Sequence, residues 1–322
     1  MTLKILYAIS DRASSAIQLS RFLTVTSDKD YIVKTAGYRR SNISLDWTLD
    51  ALLDMFNPSR ILPENDNLEV YFEQIKSYDP DLIISDLEIF TSYVGRVLDK
   101  TVWQVSPLLL YYGTKDKYKS SAHKNYGHTF RNQFTKNERL KNVVFNSNYN
   151  FIYSHFGDTI DPPKLAKNYE WIRPYHVIGN VSRPCEHEIV AQLLMNDKKI
   201  FSILKRYKDA VAFSNFLDER YSGITIKGMG NVQEYACNVK NCNVLINQGY
   251  TDFLADAFYN GKPSLVVPDF SDSESLMNAG FSEYKHLSKT LYDNEDIVIS
   301  DPFDIHYDEK IQYLHEKIDE EL

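Results

Sequence analysis

The stretch Asn243-Val-Leu-Ile-Asn-Gln-Gly-Tyr-Thr-Asp-Phe-Leu-Ala-Asp-Ala-Phe-Tyr-Asn-Gly-Lys-Pro-Ser-Leu-Val-Val-Pro268, continuing as Asp-Phe-Ser-Asp-Ser-Glu-Ser-Leu-Met-Asn-Ala279, decides how this chain folds. Val244 to Asn247 is a short apolar run that reads as a buried strand. Gln248-Gly249 makes a tight turn, and Thr251 is placed to cap a helix over 252–260. Phe253 and Ala257, like Leu254 and Phe258, recur at the i,i+4 spacing that stacks side chains on one helix face. Gly261 suits the left-handed residue that closes a helix, and Lys262-Pro263 leads into a second buried strand, Ser264 to Pro268. Strand, glycine turn, helix and strand form a βαβ unit, which implies a parallel sheet with right-handed crossovers.

The same order extends in both directions. Toward the N-terminus, strands are expected at Leu3–Ile9, Tyr31–Ala36, Asp81–Ser85, Thr101–Val105 and Asn142–Phe145. Helices are expected at Ser14–Leu23, with Ser14 or Ser15 as cap, and at Asp46–Phe56, Leu68–Tyr78 and Ile89–Leu98. Val-Ile-Gly-Asn-Val-Ser-Arg-Pro, 177–184, reads as a linker. A second series follows: a helix at Glu186–Asn196, strands at Ala210–Phe213 and Ile224–Lys227, the segment above, and an acidic amphipathic helix over 308–322. The chain's 322 residues suit two domains, read as 1–180 and 181–322, both α/β. Ligands of such sheets bind outside the carboxyl ends of the strands.

At that edge the turn and helix start make an anion site. Free backbone N–H groups and the helix dipole attract phosphate, and Gly249 permits close approach of a diphosphate. Asp256 lies one turn along and can accept from ribose hydroxyls, while Ser273 to Asn278 can reach a sugar. A plain βαβ unit with a glycine turn explains the same residues.

Composition narrows the classes. A mean hydropathy of −0.39 and no apolar run near the ~18 residues of a span argue against a transmembrane protein. Leu3–Ile9 reads as a strand rather than part of a secretory leader. Three cysteines, Cys185, Cys237 and Cys242, form neither a disulfide scaffold nor a zinc ribbon, and a cytoplasmic location is expected. No metal-ligand spacing, Walker loop or nucleophile elbow occurs. The net charge is −8, yet residues 111–141 carry eight Lys and Arg against two acidic residues. Lys115, Lys117, Lys119, Lys124 and Arg131 are interleaved there with tyrosines and phenylalanines, a pattern that suits phosphates and stacked bases.

The 243–279 segment resembles the nucleotide-sugar site of GT-B glycosyltransferases, especially the branch of the bacterial enzyme that adds N-acetylglucosamine to the lipid-linked peptidoglycan precursor. Gly249, Asp256-Ala257, Gly261-Lys262-Pro263, Pro268, Glu274 and Asn278-Ala279 carry the likeness. Weaker matches are 177–184, to the family's interdomain linker, and Asp79–Asp86, to a strand end. Asp256 stands for a ribose-binding Glu and Glu274 for a sugar-binding Gln. The glycine-rich first loop and the His base are missing, and Arg12 occupies the His position beside Asp11. Ser214-Asn215 stand where the second glycine loop would be.

The resemblance implies two Rossmann-like domains facing across a cleft, with an acceptor domain at 1–180, carrying the basic insertion 107–141, and a donor domain at 181–322. It also implies an inverting transfer from a UDP-sugar, with no cofactor and no metal. Asp11 or Asp86 is expected as the base. The donor contacts are then Arg12, Ser214, Asn215, Gln248, Gly249, Tyr250, Thr251, Asp256, Ser273, Glu274 and Ser275. The basic insertion would hold a polyanionic acceptor, first of all DNA with hydroxymethylated bases, as in the bacteriophage DNA glycosyltransferases that this architecture resembles. Two alternatives stay open: a lipid-linked or small-molecule acceptor at a membrane surface, approached through an apolar patch at Leu108–Tyr112, and a non-catalytic protein binding nucleotide sugar or DNA.

Overall fold

The structure, a computed structural model, describes residues 2–10, 12–38, 44–49, 66–112, 136–156, 168–177, 187–194, 197–214, 224–284, 288–290 and 311–322. These fall into two compact units, one of residues up to 173 together with 311–322, the other of residues 174–290.

The first unit is built on a parallel sheet of seven strands. β1 (Leu3–Ile9), α1 (Ala13–Val25), β2 (Tyr31–Tyr38), β3 (Trp47–Leu49), α2 (Asp66–Tyr78), β4 (Leu82–Ser85), α3 (Ile89–Val97) and β5 (Thr101–Ser106) follow in chain order. A 3₁₀ turn over 107–112, α4 (Glu138–Phe145), β6 (Tyr149–Tyr153) and β7 (Tyr169–Ile172) complete it. The strand order is β3-β2-β1-β4-β5-β6-β7. Ile5 to Ile9 and Leu82 to Ile84 are fully buried, as strands covered on both faces must be. Burying each large aliphatic side chain contributes roughly 1.5–3 kcal/mol. Gly95 lets α3 lie close on the sheet, because a Cβ there would sit 2.7 Å from both Ile83 and Val102.

The second unit repeats the plan with β8 (Ile189–Gln192), α5 (Lys198–Leu204), β9 (Ala210–Phe213), β10 (Thr225–Lys227), α6 (Val232–Asn241), β11 (Val244–Asn247), α7 (Thr251–Tyr259), β12 (Ser264–Val266), α8 (Ser273–Tyr284) and β13 (Lys289–Thr290). Its order is β10-β9-β8-β11-β12-β13, again all parallel. In each sheet the chain starts at the middle, winds outward one way, then returns and winds out the other. The reversal falls between β1 and β4 in the first and between β8 and β11 in the second. Such switch points leave a crevice at the strands' carboxyl ends.

Several local expectations need correction. Residues 189–192 form the central strand β8, not part of a helix over 186–196; all four are buried, and the helix starts later, behind the Asp197 cap. Residues 142–145 end α4 instead of forming a strand. Asn137 caps that helix, which turns Leu140, Val143 and Val144 to the core, and the strand is the aromatic run at 149–153. Trp47–Leu49 pair with β2 as an edge strand where a helix over 46–56 was expected; residues 50–56 lie outside the described set. The cap of α1 is Arg12 rather than Ser14 or Ser15. The C-terminal helix α9 (Leu314–Glu321), expected within a second domain, belongs to the first unit. There Asp319 pairs with Lys29 at 2.7 Å and Lys317 with Glu170 at 3.2 Å. No helix among the described residues is long and apolar enough to cross a membrane.

Candidate functional site

At the second unit's switch point, β11 ends in Asn247, whose side-chain oxygen accepts from the Gly249 amide at 2.9 Å and turns the chain. Gly249 has φ +80°, and a Cβ there would lie 2.9 Å from the Ser275 carbonyl, so only glycine fits the turn against α8. Gln248 locks the turn on both sides. Its Oε1 accepts from the Leu194 amide at 2.8 Å, and its carbonyl accepts from Ser275 Oγ at 2.5 Å.

The helix start that follows already holds an anion. Thr251 is the first residue of α7, not its cap, and Tyr250 in the cap position supplies no side-chain bond. Instead the Thr251 amide donates to Glu274 Oε1 at 2.9 Å, and Asn278 Nδ2 donates to Thr251 Oγ1 at 2.9 Å. A carboxylate from α8 thus sits where helix dipole and free amide favour negative charge. Tyr250 is buried beside it. Burial, reinforced by the carboxylates of Asp272, Asp269 and Glu274, pushes its hydroxyl far above the ordinary tyrosine value, so it stays a neutral donor.

Asp256 is fully buried. Its Oδ1 accepts from the Val177 amide at 2.9 Å, and its Oδ2 accepts from Gln192 Nε2 at 2.9 Å and Tyr235 OH at 2.6 Å. Gln192 ends β8 as Asn247 ends β11, and its Oε1 has no partner among the described residues. Of the expected donor contacts, the fold brings Gln248, Gly249, Thr251, Glu274 and Ser275 together in one hydrogen-bonded cluster. Ser273 is the buried first residue of α8. Ser214 follows β9, two strands away from β11, with its amide donating to Lys227 O. Asn215 lies outside the described residues. Gln192, Tyr235 and Asn247 were not expected. The signal for Gln192 is the one that marks Asn247, a single polar residue closing a buried apolar run, hidden by reading 186–196 as a helix.

The first unit's switch point brings together Arg12, just past β1, and Asp86, just past β4. Arg12 Nη2 donates to Asp86 Oδ1 at 2.5 Å and also to Oδ2, which Ser15 Oγ reaches as well. Arg12 Nε donates to Ser10 Oγ at 3.2 Å. The two side chains are only 4% and 0% exposed. The Glu88 side chain, next along, caps α3 by accepting from the Phe90 and Thr91 amides. Asp11, Lys115, Lys117, Lys119, Lys124 and Arg131 all lie outside the described residues. Of the apolar patch expected at Leu108–Tyr112, Leu108 to Tyr111 are each at most 2% exposed and so are not on offer to a membrane. Among the described residues no three His, Cys, Asp or Glu cluster as metal ligands.

No family model matches the chain, and no curated protein does. Solved structures do. The calicheamicin glycosyltransferase CalG4 aligns over 90% of this chain and 85% of its own, with TM-score 0.56 and 12% identity. The spinosyn rhamnosyltransferase SpnG, complexed with thymidine diphosphate, aligns over 90% and 86%, with TM-score 0.57 and 10% identity. A UDP-glucosyltransferase from Polygonum tinctorium aligns over 93% and 87%, with TM-score 0.58 and 11% identity. At such identities the likeness is one of fold. The chain has the fold of the GT-B nucleotide-sugar glycosyltransferases, two Rossmann-like parallel sheets in succession.

Proposed function

We propose that the protein is a nucleotide-sugar-dependent glycosyltransferase whose donor diphosphate binds at the glycine turn and first amides of α7. One observation carries this reading: the Thr251 amide holds the Glu274 carboxylate at 2.9 Å, which marks this helix start as an oxyanion site. A diphosphate takes the place of Glu274, and Gly249 keeps the turn flat enough for it. Asp256, tied to Val177, Gln192 and Tyr235, reaches a ribose only by exchanging one of those bonds. Of the two carboxylates considered as base, Asp86 has both oxygens engaged by Arg12, which leaves Asp11.

The acceptor follows from the basic stretch 111–141, which suits a polyanion, first of all DNA with hydroxymethylated bases. Calicheamicin, spinosyn and indoxyl in the names of the similar structures favour a small hydroxylated acceptor instead. The buried Leu108–Tyr111 stretch counts against the lipid-linked acceptor of the peptidoglycan branch. Mass spectrometry of hydroxymethylcytosine DNA, and separately of a panel of phenols and indoles, incubated with protein and mixed UDP- and TDP-sugars tests both. Transfer to one set chooses between them. Sugar-nucleotide binding without transfer supports the second reading, a non-catalytic binding protein, which the Arg12–Asp86 pair favours by neutralising both groups at the first switch point. Absence of any nucleotide binding defeats both readings.

A further inference from the structure

We propose that the cavity between α3 and α4 binds a small aromatic carboxylate, independently of any nucleotide site. The cavity is about 280 Å³, close to the lower end of ligand pockets, and lies wholly within the first unit. Phe90, Val102 and Val143 give it an apolar wall, and the half-exposed Tyr93 ring stands at its mouth.

Its charge is one-sided. Arg96 and Arg139 line it, and among the described residues no Asp or Glu does. Arg96 Nη1 donates to the neutral Asn142 Oδ1 at 2.7 Å, and its guanidinium lies 5.9 Å from the Tyr93 ring centroid. Among the described residues neither arginine pairs with a carboxylate, whereas Lys141 on the same helix as Arg139 pairs with Glu138 at 2.7 Å. Two guanidiniums beside an apolar volume match the planar, two-oxygen geometry of a carboxylate.

The deeper polar groups fix which way round the ligand sits. Ser92 Oγ donates to Glu88 O at 2.6 Å and Ser147 Oγ to Val143 O at 2.7 Å. Both hydroxyls accept from Gln104 Nε2 at 3.0 Å, so their protons are committed and neither is free to donate to an anion. Gln104 is fully buried, and its Oε1 has no partner among the described residues, which keeps this layer short of donors. The arene therefore enters the apolar part, and the carboxylate stays at the arginines.

Calorimetric titration with indole-3-acetate, using neutral indole as control, tests the site. The acid is expected to bind with a Kd of about 1 mM or tighter, and to lose about tenfold in affinity in Arg96→Gln/Arg139→Gln, while indole is unaffected. Both arginines are exposed, so this variant keeps its fold, which circular dichroism verifies. A second measurement needs no variant: indole-3-acetate, but not indole, should shield Arg96 and Arg139 from phenylglyoxal, read by peptide mass spectrometry. Equal affinity for indole and its acid, unchanged affinity in the double variant, or no saturable binding each overturns the proposal.

Discussion

Replacing Arg12 with Met isolates the buried charge at the first switch point. In the wild type, Arg12 donates to both oxygens of Asp86, and the two side chains are 4% and 0% exposed. Truncating one partner of such a pair leaves the other charge buried and uncompensated, a loss of about 3–5 kcal/mol. Ser15 Oγ still donates to Asp86 in the variant, and a hydrogen bond to a charged group contributes about 1.5–3 kcal/mol. The expected loss is therefore near the lower limit, about 3 kcal/mol. Arg12→Met/Asp86→Leu removes both charges and leaves apolar groups of similar bulk, so it should lie within about 1 kcal/mol of the wild type. The assay is built into the sequence: the three tryptophans, Trp47, Trp103 and Trp171, all belong to the first unit. Tryptophan emission in urea thus follows that unit alone, even where the two units unfold separately. A single-variant loss below about 1 kcal/mol, or a double variant as unstable as the single, would refute the reasoning.

Four further outcomes are expected. Asp256→Ala strips acceptors from the Val177 amide, Tyr235 OH and Gln192 Nε2, so the second unit should lose roughly 2–4 kcal/mol by far-ultraviolet circular dichroism while the tryptophan midpoint stays put; a common shift of both signals would argue against it. Glu274→Gln removes a negative charge from the α7 start, so UDP should bind several-fold more tightly; weaker binding would show that Glu274 is not in the way. Burial holds the His315 imidazole below its ordinary 6.5, with Lys29 helping and Glu316 opposing. The unfolded chain then takes up a proton first, so first-unit stability, complete above about pH 6.5, declines as pH falls through the lowered value. His315→Asn should flatten that decline in a tryptophan-detected urea series. Charge reversal at Lys115, Lys117 and Lys119 should abolish a salt-sensitive gel shift with duplex DNA; unchanged retention removes DNA from the reading of this stretch.

What could be read from the residues follows what each signal depends on. β11, α7 and β12 were legible because buried apolar runs there stop at Asn247, Gly261 and the residues before Pro268, whose backbone or side-chain chemistry breaks regular structure locally. Ile189–Gln192 was not, because a short apolar run flanked by Glu188 and by Leu193-Leu194 has no period; only its place at the centre of the sheet makes it a strand. Asn142-Val-Val-Phe145 misled in the opposite sense. Its β-branched pair suits a strand, but the cap at Asn137, five residues upstream, carries the helix through it. At the site, strand-end logic singled out Asp11 and Asp86; β1 and β4 pair with Ala8 opposite Ser85, which brings Arg12 and Asp86 together. That logic could not show that the two neutralise each other. Nor does any spacing reveal that Glu274 reaches Thr251, a contact set by how α8 packs beside α7.

That last contact decides how tightly a donor can bind. If the α7 start is occupied by Glu274 in most molecules, the apparent Kd for UDP is the intrinsic value divided by the fraction in which Glu274 has left. Leaving is uphill, because the displaced carboxylate stays near Asp269 and Asp272, which already face Tyr250. With about one molecule in five open, a 1 μM site reads as roughly 5 μM. Glu274→Gln keeps the side chain's length and removes its charge, so it should raise the open fraction without rebuilding the pocket. The ratio of the wild-type to variant Kd for UDP then approaches the closed-to-open ratio of the wild type. A diphosphate bound elsewhere on the protein would give a ratio of one.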